Sequence, residues 1–188
     1  MIYVVGGTGF VGSAIVRYIT ERRWSFKIIE RDNIDQFSGT ACDILIDANG
    51  NSFKPLAESD PMQDFDASVQ SVAGRLGSIN AARYVFLSSG DVYPDPSRPD
   101  LTAEDSEIEI TQLSRYGLHK FLAEALVRSV HPRWLILRLG GMVGPGLRKN
   151  VVFDMMTDQS VWLTPDSELQ FISTDTVAPM VFRLLDAG

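Results

Sequence analysis

"MIYVVGGTGFVGSAIVRYI" (residues 1–19) decides the fold. Its first part, "IYVVG", is a short β-branched run ended by glycine and reads as a strand. "FVGSAIVRYITERR" follows, with Val11, Ile15 and Ile19 at helical spacing and Arg and Glu between them, and reads as an amphipathic helix. Gly6, Gly9 and Gly12 stand at the junction. A junction without side chains turns tightly and lets the backbone approach a pyrophosphate closely. The helix N-terminus then presents free N–H groups and a positive dipole to that anion. Thr8, Phe10 and Val11 belong to the same cofactor-binding turn. The alternative is a tight turn with no ligand.

A second strand, "SFKIIE", ends at Glu30. A carboxylate there accepts both hydroxyls of an adenosine ribose. Arg31 follows directly and would pair with a 2′-phosphate. Glu30 therefore favours NAD and Arg31 favours NADP. The reading tilts to NAD, because the carboxylate repels the extra phosphate. The alternative for Arg31 is a solvated loop charge.

Outward from this unit the alternation continues. "RDNIDQFSGTAC" reads as loop with little helix and "DILIDA" as a third strand. Helical spacing runs from about Pro61 to Ala82 through Phe65, Val69, Val72, Leu76 and Ile79. "RYVFLSS" is a strand, and "GDVYPDPSRPDLTAEDSE" a long exposed loop. "ITQLSRYGLHKFLAEALVRSV" is a helix with Leu118, Leu122, Ala125 and Leu126 on one side, and "RWLILRLG" a strand. A helix near 150–158, short strands at "SVWLT" and "ELQFIST", and a final helix from about Asp175 complete the chain. Strands alternating with helices predict an α/β fold, a doubly wound parallel sheet of Rossmann type that binds ligands beyond the carboxyl ends of its strands.

The bulk properties narrow the class. A chain of 188 residues fits one domain, or one with a small appendage. Hydrophobic residues make up 45%, enough for a core and too many for disorder. The net charge of −7 argues against nucleic-acid or anionic-membrane partners. Cys42 is the one cysteine, so there is no disulfide framework, and it reads as a small buried hydrophobe. No stretch is long and apolar enough to span a bilayer, and the N-terminus has no secretory signal pattern. The default expectation is a cytoplasmic location. His119 and His131 lack metal-ligand spacing, so both read as structural or exposed and no metal is expected.

A second constellation is "SRYGLHK". Tyr116 and Lys120 lie four apart on a predicted helix, hence one turn apart on one face. A phenol titrates near 10 and is a poor base at neutral pH, and a nearby ammonium is expected to lower that value. Ser89, at a strand's carboxyl end, can bond a substrate oxygen shared with Tyr116. Ser88 reads as structural, beside the cofactor, rather than catalytic.

"GGTGFVG", "LSSGDVY", "YGLHKFLAE" and "LRLGGMVGPG" together resemble the extended short-chain dehydrogenase/reductases, the NAD-dependent epimerase/dehydratase family. "AESDPMQDFDASV" and "FISTDTVAPMV" resemble its weaker blocks. The resemblance implies that Ser89, Tyr116 and Lys120 are catalytic, Tyr116 being the base, and that Lys120 also holds the nicotinamide ribose. It places Ala48 and Gly50 along the cofactor and passes the segment Leu139 to Pro145, with Leu139, Gly140 and Met142, near the nicotinamide. It implies a homodimer through helices at roughly 61–82 and 111–130, although core packing explains Phe121 and Leu122 equally well. Relatives commonly act on nucleotide-linked sugars.

The chain departs from that pattern in several places. Only 12 residues separate Glu30 from Asp43, so the family's third strand is expected to be missing or vestigial. The active-site Asn expected before Val69 is Ser68. The Asn expected after the "LR" strand is Gly141, and the Arg that grips a diphosphate aligns with Leu169. Arg148, Lys149 and Asn150 are alternative phosphate donors, or simply a solvated helix start. Asp91 falls on the second acid of a dehydratase pair, either as an acid or base or as a loop-shaping group bonding backbone N–H. The sequence ends at Gly188, which leads to the expectation of a reduced C-terminal cap.

The resulting expectation is a dinucleotide-binding domain over 1–145 carrying the catalytic residues and a small partial cap over 146–188. Its function is that of an NAD(P)-dependent oxidoreductase, epimerase or dehydratase. It moves a hydride between nicotinamide and a hydroxyl or keto carbon of a small, sugar-like substrate. The alternative is a non-catalytic NAD(P)-binding regulator or scaffold.

Overall fold

A computed structural model describes residues 1–161 and 163–187. Trp162, inside the expected "SVWLT" strand, and Gly188, the last residue of the expected cap, lie outside the described residues.

Five parallel strands form the central sheet: β1 (Ile2–Val5), β2 (Phe26–Ile29), β3 (Ala41–Asp47), β4 (Asn80–Ser89) and β5 (Trp134–Leu139). Their order is β2-β1-β3-β4-β5. All four β1 residues are buried, as a central parallel strand covered on both faces requires. β2 is the sheet edge. Between it and β3 the chain makes one short 3₁₀ turn, Ile34–Phe37, so the third strand of the family pattern is absent.

Helices cover both faces. α1 (Phe10–Glu21) and α7 (Thr174–Ala187) pack on one face, where Ile15, Ile19, Val181 and Phe182 join Val4, Ile46 and Val85 in one apolar cluster. On the other face lie α2 (Lys54–Ser59), α3 (Pro61–Phe65), α4 (Ser71–Ser78) and α5 (Arg115–Val130). Val72, Ala123 and Val127 pack there against Tyr3, Leu45 and Phe86. A short α6 (Val151–Met156) and a parallel pair, β6 (Gly141–Val143) and β7 (Phe171–Ser173), stand apart from the main sheet.

Several expected elements differ. The helix expected over 61–82 is broken by a π-type turn, Asp66–Gln70, and ends at Ser78, after which the backbone is extended into β4. α2 was not anticipated. The described residues of "SVWLT" form no strand. α5 turns the opposite way from its leucine pattern. It buries Tyr116, His119, Lys120, Ala123, Glu124 and Val127, while Leu122 stays exposed. The reason is pairing across elements: the Glu124 carboxylate accepts from Arg138 on β5 at 2.9 Å and from Arg128 at 3.1 Å, so a charged residue is accommodated inside. Leu122, Ala125 and Leu126 instead line an outer groove with Phe65 and Val69.

Candidate active site

The site gathers at the carboxyl ends of β1, β3 and β4. Gly6 adopts φ +72°, a conformation glycine takes without strain. At Gly12 a Cβ would stand 2.1 Å from the Gly6 carbonyl oxygen, so this position admits only glycine and seats α1 directly on the turn. Close helix packing thus accounts for Gly12, where the sequence suggested approach to a ligand. The Gly9 N–H bonds the Gly6 carbonyl at 3.0 Å. The N-terminus of α1 has no side-chain cap and no acid in its first turn. The first-turn N–H groups of Phe10, Val11 and Gly12 are thus taken by no side-chain cap, the arrangement that serves as a donor set for an anion.

Glu30 lies beside this turn. Its Oε1 accepts the backbone N–H and the hydroxyl of Thr8, each at 2.9 Å. Among the described residues its Oε2 has no protein donor, so one carboxylate oxygen is available to ribose hydroxyls. Arg31 is exposed in the turn that follows β2. These features fit a dinucleotide: uncapped N–H groups for the pyrophosphate, and a braced acid 22 residues beyond Thr8.

The loop after β3 joins the glycine turn to the Tyr-Lys pair. A Cβ on Gly6 would lie 3.2 Å from the Ala48 carbonyl, and one on Gly50 would lie 3.1 Å from Lys120 Nζ. The Tyr116 hydroxyl donates to the Asn51 carbonyl at 3.3 Å. Ser114 caps α5 by accepting from the Gly117 N–H at 3.1 Å, which fixes the turn bearing Tyr116. A Cβ on Gly117 would meet the Asp91 carbonyl at 2.1 Å, so α5 packs tightly on the loop after Ser89. The "YG" dipeptide is the one sequence signal for that contact.

Ser89 and Asp91 act as a unit. The Ser89 hydroxyl donates to Asp91 Oδ2 at 2.7 Å and accepts from the Asp91 N–H at 3.2 Å. Lys54, from α2, donates to Asp91 Oδ1 at 2.6 Å. Asp91 thus holds side chains, not the backbone N–H groups expected of a loop-shaping acid. An open cleft of about 700 Å³, lined by Lys54, Glu58, Asp91, Ser114 and Tyr116 among others, leads to this group.

The electrostatics of Tyr116 differ from the sequence expectation. Burial and then the Asp91 carboxylate raise its phenol above the ordinary range, opposed by the neighbouring Ser89 hydroxyl. Lys120 Nζ lies 5.7 Å from the centre of the tyrosine ring, over its face, and does not reverse this. Burial also holds the Lys120 ammonium below its ordinary value, opposed by Asp47 and Asp64. The resting phenol is therefore a proton donor.

The remaining expected residues are more dispersed. Ser88 is buried and its hydroxyl has no partner among the described residues. Leu139 and Met142 pack against the α1–α7 apolar cluster, with Gly140 between β5 and β6. Asn150 caps α6 through Val152 and Phe153 and donates to the Met142 carbonyl, so its side chain serves the fold. Lys149 donates to the Ser52 carbonyl, Arg148 is exposed, and Leu169 is exposed. Neither histidine is a solvated surface group: His131 bonds the Ala81 carbonyl at 3.0 Å, and His119 meets Asp64 at 2.6 Å. Among the described residues no group of three His, Cys, Asp or Glu side chains is placed to hold a metal, and no helix is long and apolar enough to cross a membrane. Sequence reasoning missed Asn51, Lys54 and Asp64, whose partners lie on other elements.

The sequence model of the NAD dependent epimerase/dehydratase family matches residues 2–161. No curated protein sequence matches the chain. Among solved structures, a dTDP-4-dehydrorhamnose reductase from Clostridium acetobutylicum is similar with TM-score 0.80 and 17% identity, over 99% of this chain and 70% of that one. A UDP-galactose 4-epimerase is similar with TM-score 0.76 and 19% identity, over 100% of this chain and 73% of that one. MoeE5, in complex with UDP-glucose and NAD, is similar with TM-score 0.79 and 17% identity, over 96% and 70%. At these identities the likenesses establish the fold.

Proposed function

The chain belongs to the NAD dependent epimerase/dehydratase family, and from that premise we propose that it is an NAD(P)-dependent oxidoreductase acting at a hydroxyl or keto carbon of a sugar-like substrate. The observation that carries this reading is that Tyr116 lines an open cleft with Lys120 5.7 Å over its ring, Ser89 beside its hydroxyl and Lys120 against the Gly50 loop. A regulator that only bound the cofactor would need the turn alone.

In this reading the α1 N-terminus, Thr8 and Glu30 hold the pyrophosphate and ribose, and Lys120 reaches the second ribose beside Gly50. The bound dinucleotide supplies hydride exchange at its nicotinamide carbon. Tyr116, protonated at rest, donates its proton to a substrate oxygen as negative charge develops there, and takes it back in the reverse direction. Ser89 shares that oxygen, and the Lys54–Asp91 pair aligns Ser89.

The substrate class draws on two considerations. Structural neighbours are named for UDP-galactose, UDP-glucose and dTDP-4-dehydrorhamnose, which makes a nucleotide-linked sugar the first choice. Gly141 and exposed Leu169 offer no side-chain donors for its diphosphate, so the sugar end carries more of the recognition. Residues 1–145 supply the proposed cofactor and catalytic groups. Beyond them, Lys149 donates to the Ser52 carbonyl, and α7 packs on the sheet face it shares with α1.

The test is turnover with nucleotide-linked keto and hydroxy sugars and either cofactor, in wild type and in Tyr116→Phe. Loss of the phenolic proton is expected to lower turnover by about 10²–10⁴-fold while dinucleotide affinity is retained. Unchanged turnover in the variant would refute the assignment.

A further inference from the structure

Asp64 is fully buried, and it joins three separate parts of the chain. Its Oδ1 accepts from Asn51 Nδ2 at 2.6 Å and from the Ser68 hydroxyl at 3.3 Å. Its Oδ2 meets His119 Nδ1 at 2.6 Å, with the imidazole N–H donating. His119 lies on α5 between Tyr116 and Lys120, and the Phe65 ring packs against it in a T-shaped pair at a centroid distance of 5.5 Å. At the other end, the Asn51 carbonyl accepts the Tyr116 hydroxyl. The Asn51 side chain is wholly engaged, since it also bonds Phe53 through both its amide groups.

We infer that the buried Asp64–His119 pair is a positioning device that aims the Tyr116 hydroxyl through Asn51. This rests on the proposed catalytic role of Tyr116. One carboxylate clamps both partners of the Tyr116–Asn51 hydrogen bond: the helix turn that carries the phenol and the loop that carries its acceptor. Because Asp64 is buried and uses both oxygens, neither partner can drift without leaving a buried carboxylate short of a donor. Ser68 stands where the family resemblance leads one to expect an active-site Asn, and its hydroxyl points to Asp64. The chain thus routes orientation of the tyrosine through a carboxylate and a histidine. Lys120 and Asp91 are the other charged groups beside the phenol, and neither hydrogen-bonds Asn51 among the described residues.

The experiment follows the tyrosine Cζ resonances of protein labelled with ¹³C at that carbon, with Tyr116→Phe assigning the signal. Asn51→Ala removes the link at a half-exposed residue and should fold. It is expected to shift the Tyr116 resonance and leave those of Tyr3 and Tyr84 in place. His119→Ala is expected to shift it too, and His119→Asn, which restores a donor near Nδ1, to bring it back. Combined with Asn51→Ala, His119→Ala should add little, as for members of one network. A Tyr116 signal unmoved by Asn51→Ala, or equal signals in His119→Ala and His119→Asn, would overturn the inference. Dinucleotide titration of the wild type separately tests the functional reading, so the two can fail independently.

Discussion

Thr8 gives its backbone N–H and its hydroxyl, each at 2.9 Å, to the same oxygen of Glu30. The bond ties the glycine turn to the end of the edge strand. With no strand beyond β2, this contact and the Asn33 side chain, which accepts from the Glu30 N–H at 2.8 Å, hold the acid in place.

Glu30→Gln should therefore weaken NAD binding by about tenfold, the loss of one charge-assisted hydrogen bond. It should weaken NADP binding less, because the repulsive charge is gone. Calorimetric titration of both cofactors into both proteins checks this. An unchanged NAD to NADP ratio would remove Glu30 from the ribose site.

Gly12→Ala should destabilise by roughly 1–3 kcal/mol, since its Cβ would collide with the Gly6 carbonyl. Gly74→Ala, within α4 and with no atom within 4 Å of the added carbon, should stabilise by about 0.5–1 kcal/mol. Thermal unfolding of the two variants should bracket the wild type. Equal shifts in both would contradict the packing described.

Arg75 and Asp47 form a buried pair, 2.7 Å apart, and Tyr84 donates to the same Asp47 oxygen at 2.6 Å. Asp47→Ala strands the arginine and should cost about 3–5 kcal/mol, measured by urea unfolding. Leucine at both positions should recover part of that loss. A cost within the range of a surface substitution would show that the charge is not effectively buried.

An unfolded tyrosine ionises near 10, and Tyr116 does so at higher pH when folded. In that interval the unfolded chain binds fewer protons than the folded one, so stability falls as pH rises. Tyr84, buried beside Asp47, has the same sign, whereas Lys120, held low, has the opposite one. Tyr116→Phe should lose less stability than wild type between pH about 9.5 and 11. Denaturant unfolding at fixed pH measures it, and equal losses would contradict the raised phenol.

Local pattern made much of this fold legible. The glycine turn, the apolar β1 and the 12 residues between Glu30 and Asp43 imply a doubly wound parallel sheet and its missing outer strand. The buried face of α5 was not legible. Leucine spacing points to Leu122 and Leu126, but the helix buries Lys120, His119 and Glu124, whose partners Asp64 and Arg138 come from distant elements. Asn51 and Lys54 act through contacts that only the folded chain creates. The direction of the Tyr116 shift was misread for a related reason: spacing shows that Lys120 is near, but not that burial and Asp91 outweigh it.

Calorimetric titration of NAD and NADP, oxidised and reduced, into the folded protein tests the central claim most directly. The account predicts saturable binding at one site per chain, tighter for NAD. Absence of binding heat for all four dinucleotides would contradict it.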